Sequence, residues 1–291
     1  MEINPRHRDF ELARPMLYGI AYRMLGSFSD AEDAVQDAWF RWQDANLSII
    51  ESPRAYLAST VSRLCIDRHR RRKLERMLYT GPWLPEPVDD AILEQINEPE
   101  ADLELVESVS MAFLLLLQKL PPMERAVFIL KESFDLGHVE IAAMLNVRPA
   151  HSRQLLRRAR QKVNSDKLDL QMDEDIKPLM ESFLEAATTG NLSELQNLMT
   201  DDIVAYSDGG GRASAALIPL EGKDRVSTVL LHLLSRQLEP LKAEWRRLNG
   251  NISLVLREGN SVHSTHAVSV RDGKIHRIYT MRNPDKLHYV E

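Results

Sequence analysis

The chain has a single cysteine, Cys65, in 291 residues. That excludes an intrachain disulfide and any multi-cysteine zinc site, and it fits a reducing compartment. Long apolar runs are absent too. The longest, Met111 to Leu117, is far short of the roughly 18 residues a membrane span needs. The opening residues, Met1 to Pro5, lack a basic start followed by an apolar core, so no secretory signal is expected and the protein reads as cytoplasmic. A basic balance is also missing. The net charge of −6 argues against a globally basic DNA binder, although such a sum can hide opposite local charges. The length suggests about two domains, at roughly 150 residues each.

The sum does hide such charges. Residues 68–76 read Arg-His-Arg-Arg-Arg-Lys-Leu-Glu-Arg. From Met77 to Gln118 there is then no Lys or Arg, while Glu86, Asp89, Asp90, Glu94, Glu98, Glu100, Asp102, Glu104 and Glu107 accumulate. A second basic run follows at Arg153, Arg157, Arg158, Arg160 and Lys162. Charge runs are usually solvated helix faces and linkers. The alternative is two nucleic-acid-contacting modules joined by an acidic strap. Within that strap, Gly81-Pro82-Trp83-Leu84-Pro85-Glu86-Pro87 forbids helix and favours an extended path. An apolar pair inside a stiff acidic tether suggests that the tether docks somewhere.

The first module, residues 1–76, reads as a helical bundle with a basic edge. A helix over 9–25 has Leu12, Met16, Ile20 and Leu25 as its expected buried row, ended by Gly26-Ser27. A second, over 30–45, is expected to use Asp30 as N-cap. It carries an apolar stripe of Ala31, Ala34, Val35, Ala38, Trp39 and Trp42. A loop over 46–54 precedes a third helix, which begins near Pro53 and runs into the basic segment.

The second module, 104–165, joined to the first by the acidic proline-containing linker 77–103, reads as a helix-turn-helix. A short helix over Val139 to Leu145 meets a tight turn at Asn146-Val147-Arg148-Pro149, where Asn tolerates the left-handed conformation. The last helix faces Ser152, Leu155, Leu156, Ala159 and Val163 inward and sets Arg153, Arg157 and Arg160 outward. Such a second helix enters the major groove. A third module, 172–291, begins with helical signals and continues with strands. Asn249-Gly250 and Arg271-Asp272-Gly273 are hairpin turns, which indicates an α+β domain.

The segment Asp30-Ala31-Glu32-Asp33-Ala34-Val35-Gln36-Asp37-Ala38-Trp39 resembles the conserved region 2 helix of extracytoplasmic-function (ECF) sigma factors. Tyr56-Leu57 through Asp67-Arg68 is similar to the helix of that region which meets the −10 element. The resemblance implies that Asp33, Gln36 and Asp37 face the clamp of core RNA polymerase. It also implies that the 46–54 loop holds a flipped base and that Ser52, Arg54, Arg63, Arg68 and Arg71 contact melted −10 DNA. Arg63 stands where most of the family has Asn, so base preference does not carry over there. Flipping a base costs a few kcal/mol, which a pocket and backbone cations can offset.

Glu140-Ile141-Ala142 with Leu145, and Arg157-Arg158-Ala159-Arg160, resemble region 4 of the same family. This implies that His151, Arg153, Gln154, Arg157 and Arg158 read double-stranded −35 DNA. Arg148 in place of the usual Ser cap, and Ser152 in place of an apolar residue, depart from the pattern. The third module is similar in order and size to the SnoaL-like branch of the NTF2-like cone. Trp83-Leu84-Pro85-Glu86-Pro87, Asp208-Gly209-Gly210-Gly211 and Asn283-Pro284-Asp285-Lys286-Leu287 resemble the three signatures of the ECF subgroup with a fused SnoaL-like domain, the sigma-J type.

The implied architecture is two all-α domains plus an α+β cone. The implied function is promoter-specific transcription initiation, regulated in cis without a separate anti-sigma protein, with no membrane partner, cofactor or metal. Two alternatives remain at this point. One is a helix-turn-helix regulator with a ligand-sensing tail. The other is a cyclase or isomerase fused to a DNA-binding arm, for which Tyr206, Asp208, Trp245, His263 and His266 are the pocket candidates and which leaves room for a small-molecule ligand. His263 and His266, three apart on a strand, are expected on opposite faces and so make a poor metal pair.

Overall fold

A computed structural model describes residues 4–96, 109–164, 173–237 and 241–290. Glu98, Glu100, Asp102, Glu104 and Glu107 of the acidic connector lie outside the described residues. The chain forms two compact units. The first comprises residues 1–77, 91–109 and 113–167, and the second 78–90, 110–112 and 168–291.

The first unit is helical. Its elements are α1 (Pro5–Leu25), α2 (Phe28–Gln43), α3 (Pro53–Met77), α4 (Asp90–Ile96), α5 (Met111–Gln118), α6 (Pro122–Glu132), α7 (His138–Leu145) and α8 (Pro149–Asn164); Asp90, Met111 and Ala112 are counted in the second unit. Asn4 caps α1 by accepting from Arg6 N, and Gly26 ends it at φ 69°. Leu12, expected inside, is 67% exposed. Successive i+4 steps drift by about 40° around a helix, so Leu12 falls off the stripe that buries Ala13, Met16, Leu17 and Ile20. The N-cap of α2 is Ser27 rather than the expected Asp30: Ser27 Oγ accepts from Asp30 N at 3.2 Å. The helix starts early because Phe28 belongs inside, where its ring stacks on Tyr18 at 5.8 Å.

Arginines close two helix C-termini, where carbonyls lack intrahelical donors. Arg6 donates to Trp42 O (2.6 Å), Gln43 O (2.9 Å) and Ala45 O (2.8 Å) at the end of α2. Arg125 of α6, 0% exposed, donates to Met24 O at the end of α1 at 2.6 Å, and Arg76 of α3 donates to Leu25 O at 3.1 Å. Burial lowers the Arg125 pKa to about 9 and the Arg76 pKa to about 10. His69 faces the same cluster, its Nδ1 3.3 Å from Arg125 Nη1. Burial first, then Arg125 and Arg76, push its pKa down to about 3, so His69 is neutral and accepts. These contacts join α6 to α1 and α3.

In the second unit, α9 (Asp173–Thr188), α10 (Leu192–Asn197) and α11 (Lys223–Gln237) accompany a six-stranded sheet. The strands are β1 (Met199–Asp208), β2 (Leu220–Glu221), β3 (Lys242–Leu248), β4 (Asn251–Glu258), β5 (Ser261–Arg271) and β6 (Lys274–Met281). Their order is β2-β1-β6-β5-β4-β3, parallel only between β1 and β6. Asn249-Gly250 and Asp272-Gly273 all take positive φ, as the two hairpin signals require. Ile176 and Met180 of α9 pack on Leu254, Leu256 and Val270, and Val226 of α11 packs with Ile275 and Ile278. The helices therefore cover one face of the sheet, as expected for an α+β cone. Alternation sends Asp208, Tyr279, Met281, Thr265 and Ser253 to the other face.

Trp42 is fully buried and its Nε1 donates to Arg6 O at 2.8 Å. Trp42→Ala is expected to destabilise the first unit by about 3–5 kcal/mol. Urea unfolding followed by helical circular dichroism measures this, and a loss under about 1 kcal/mol contradicts a packed core at that site.

Candidate functional site

The residues singled out by sequence fall into three places. On the first unit, α1 and α2 border a groove of about 550 Å³ that includes Asp33 and Gln36. His7, Phe10, Arg14, Tyr18 and Trp39 also line it. Sequence reasoning assigned Trp39 to the core stripe, yet it is only half-buried, with its ring 4.8 Å from Phe10 and 5.8 Å from His7. Periodicity could not separate a core tryptophan from one at a groove edge.

The α3 residues are mostly engaged within the protein. Arg68 donates to Asp37 at 2.6 Å, lies 3.5 Å from Asp33 and donates to Asp30 O at 3.2 Å. Arg72 pairs with Asp30. Arg63 is exposed, yet its Nε donates to Met144 O of α7 at 2.8 Å. Ser52 is exposed and caps Ala55 N at the start of α3. Arg54 donates to Met16 Sδ at 3.3 Å, and Arg71 is exposed.

On the helix-turn-helix, Asn146 takes φ 54° and ends α7 as the turn required. His151, Arg153, Gln154, Arg157 and Arg158 are all exposed on α8, while Ser152, Leu155, Leu156 and Ala159 are buried. Ser152 departs from an apolar position at no loss of fit, because its Oγ meets His138 Nδ1 at 2.9 Å. Arg160 and Lys162 pair with Glu132 and Glu124 of α6 at 2.7 Å each, which anchors α8 from its sides. One face of α8 is thus solvent-facing, cationic and rigidly backed, the form in which a helix meets a phosphate-lined groove.

The three remaining motifs converge in the second unit. Asp208, 0% exposed, accepts from Tyr79 Oη (2.6 Å) on one oxygen and from Leu84 N and Lys286 Nζ (2.8 Å each) on the other. Lys286 also donates to Leu84 O at 2.7 Å, and its ammonium lies 4.0 Å from the Trp83 ring centroid and 4.8 Å from that of Tyr79. Asn283 donates through Nδ2 to Tyr79 Oη at 2.9 Å and through its backbone N to Asp208 O at 3.0 Å. The glycines allow this approach. A Cβ on Gly210 (φ 56°) would sit 2.2 Å from Asn283 Nδ2, and one on Gly209 the same distance from Ala213 O. Gly211 also has positive φ, and Arg212 pairs with Asp285 at 3.3 Å. Leu84, Pro85, Glu86, Pro87 and Leu287 are buried. Further along, Val88 N donates to Asn249 Oδ1, Asn249 N to Val88 O, and Asp89 N to Tyr289 O. Asp90 accepts from Gly250 N at 2.8 Å. Tyr79, Val88 and Asp90 were not among the sequence candidates, since nothing local marks them.

The strap therefore lies on the sheet face opposite the helices. Beneath it Leu84, Pro87 and Met111 close over Ser253, Thr265 and Ser269, leaving a cavity of about 40 Å³, room for a few waters. The five pocket candidates do not form one site. Asp208 is taken by the strap, and Tyr206 stacks on Tyr279 at 5.8 Å. Trp245 packs with the α9 cluster. The expectation that His263 and His266 face opposite sides is corrected. Leu256 pairs with Ser264 and Arg257 with Val262, so His263 is the extra residue of a β-bulge and alternation breaks. Arg282 Nη2 meets His263 Nε2 at 3.0 Å, while His266 bridges Ser264 and Thr280. Burial first, then Arg282 and His263, lower the His266 pKa to about 4. Among the described residues no cluster of three His, Cys, Asp or Glu is placed to hold a metal ion, and no helix is long and apolar enough to cross a membrane.

Two family profiles match the chain: sigma-70 region 2 over residues 10–75 and sigma-70, region 4 over 110–163. The ECF RNA polymerase sigma factor SigJ of Mycobacterium tuberculosis H37Rv is 32% identical over 289 residues, 96% of this chain and 92% of that protein. The probable ECF RNA polymerase sigma factor SigI of strain CDC 1551 is 28% identical over 277 residues, covering 94% and 92%. The crystal structure of M. tuberculosis SigJ superposes with a TM-score of 0.75 at 32% identity, over 97% of this chain and 98% of that one.

Two measurements check the second unit. Lys286→Met leaves the Asp208 carboxylate buried without its cation and is expected to cost about 3–5 kcal/mol, with Asp208→Asn in the same chain recovering much of it. Denaturation with proteolysis across 78–90 reads this, and an undisturbed strap contradicts the pair's role. In the second, the unfolded chain protonates His266 near pH 6.5 and the folded unit only near pH 4. Stability from this group is thus full above pH 6.5 and falls as pH drops toward 4. His266→Gln should flatten that part of the pH profile of unfolding.

Proposed function

The chain belongs to the ECF RNA polymerase sigma factors, and from that premise we propose that it binds bacterial core RNA polymerase and directs initiation at promoters with −35 and −10 elements. The observation that carries the reading is the exposed basic face of α8, backed by buried apolar residues and by ion pairs to α6. In this reading His151, Arg153, Gln154, Arg157 and Arg158 meet the −35 duplex. Asp33, Gln36 and Asp37, beside the α1–α2 groove, meet the polymerase clamp. Ser52, Arg54, Arg63, Arg68 and Arg71 meet the melted −10 strand. The role is that of a specificity subunit rather than an enzyme. The candidate acid–base residues of the cone are already committed: Asp208 to three donors and His266 to two hydroxyls.

The domains are taken as region 2 over 1–76, the linker over 77–103, region 4 over 104–165 and the SnoaL-like domain over 172–291. The C-terminal domain regulates in cis by holding the linker. Trp83 to Pro87 stand in sequence between the two DNA-binding modules; Asp208 and Lys286 hold Leu84 within them, and Asp208 and Asn283 hold Tyr79 just before them. A gripped tether limits how far two modules joined by it can separate. A chain with such an internal restraint needs no separate anti-sigma protein, and it works in the cytoplasm.

The test is run-off transcription with purified core polymerase on promoters selected from genomic fragments. Promoter-dependent initiation is expected, and its absence overturns the reading. Arg157→Ala should lower initiation about 5- to 150-fold, the equivalent of about 1–3 kcal/mol for one specific contact. Truncation after about residue 165 should change output, and equal output with and without the tail removes cis regulation.

A further inference from the structure

Helix α7 ends where Asn146 turns left-handed. Ala142 O and Ala143 O still accept from Val147 N and Asn146 N. Met144 O lies past the last helical bond of α7. Two α3 side chains take it up: Ser59 Oγ donates at 2.8 Å and Arg63 Nε at 2.8 Å, while Arg63 Nη2 reaches Ala143 O at 3.4 Å. The negative end of the α7 dipole thus rests on a guanidinium. Both helices belong to the first unit.

Arg63 is one of the residues assigned above to the −10 strand, and Ser59 lies one turn before it on the same helix face. A guanidinium with its Nε–H on Met144 O cannot offer that donor to a phosphate or a base. The two engagements are mutually exclusive at that atom. The −35 face of α8 carries no such restraint: its five readers are exposed in the same unit. We infer that Ser59 and Arg63 form a latch that holds the free chain shut at its −10 surface by capping the C-terminus of α7. The −35 surface stays open, and release of the latch frees Arg63 for DNA. The inference rests on the sigma-factor reading for the destination of Arg63, but the latch itself is a property of the free chain.

The test uses the full chain without polymerase. Asp44→Cys and Gln161→Cys, both at exposed positions, accept a fluorescent pair, while the buried Cys65, its pKa pushed by burial up to about 12, stays unlabelled. Energy transfer is followed through a urea titration beside helical circular dichroism. Ser59→Ala is expected to raise the opening equilibrium about 2- to 10-fold, and Arg63→Ala about 10- to 100-fold, so transfer is lost at lower urea while the helical transition stays in place. Arg63→Lys, which keeps the charge but not the fork, should fall between wild type and Arg63→Ala. A transfer midpoint unchanged in Ser59→Ala and Arg63→Ala, or one that moves only together with the helical transition, overturns the latch. Ser59→Ala, which touches no assigned DNA contact, should transcribe like wild type once bound to polymerase. Failure of wild type to initiate would sink the functional reading, yet the transfer measurement would still decide the latch.

Discussion

A buried carboxylate with three donors fixes the second unit. Asp208 is the last residue of β1 and points to the sheet face away from α9 and α11. An ionised carboxylate there is stable only if its lone pairs are filled and its charge matched. The 78–90 segment brings Tyr79 and the Leu84 amide, and the segment after β6 brings Lys286. Each supplier is thereby placed by the same atom group. Lys286, buried itself, needs acceptors and finds Asp208 and Leu84 O, with aromatic faces of Trp83 and Tyr79 around its remaining positive charge. Three segments far apart in sequence are mutually necessary because none of their polar groups is satisfied alone.

A second physical theme organises the first unit: arginines at helix C-termini. Arg6 closes α2, Arg125 and Arg76 close α1, and Arg63 closes α7. Each puts a cation on main-chain carbonyls. Guanidinium suits this, since its fork can span several acceptors and keeps its charge when buried. The consequence for a nucleic-acid reader is direct. His151, Arg153, Gln154, Arg157 and Arg158 of α8 stay exposed, whereas much of the cationic surface of α3 is spent internally, on α7 carbonyls and on Asp30 and Asp37 of α2.

Much of the fold was legible because its signals are local. Asn146, Asn249-Gly250 and Asp272-Gly273 take positive φ where turn chemistry placed them, and Ser152, Leu155, Leu156 and Ala159 of the inward row of α8 are buried as their spacing implied, while Val163 is only half-buried. The docking of the strap was legible from Trp83 and Leu84, two apolar residues with no reason to stand in an acidic tether. The errors came from effects that one-dimensional patterns do not carry. The α2 cap moved to Ser27 because Phe28 is held by Tyr18 on another helix. Leu12 left its stripe through accumulated helical drift. The His263–His266 parity failed at a bulge, which is defined only by pairing between β4 and β5. Tyr79 and Ser59 were missed for one reason: each is a lone hydroxyl whose partner lies far away in sequence, 129 and 85 residues respectively.

Arg68 shows how these constraints connect one surface to another. Its guanidinium reaches Asp37 and Asp33 of α2 together with Asp30 O, so residues assigned to the polymerase clamp and to the −10 strand share a single ion-pair network. Asp33 and Asp37 are solvent-facing and Arg68 is partly covered; pairs open to solvent contribute little to stability, about 0–1 kcal/mol, and exchange partners readily. Their value lies in that exchange. A partner that engages the α2 carboxylates weakens their hold on Arg68, and a phosphate that draws Arg68 away releases the carboxylates. Linkage requires the two effects to be equal in size. A buried pair such as Asp208 and Lys286 cannot behave this way, because removing either member strands the other in a dry site. The chain therefore places its buried charge pair where a segment is held, and its solvent-facing pairs on the surface that the sigma-factor reading gives to partners.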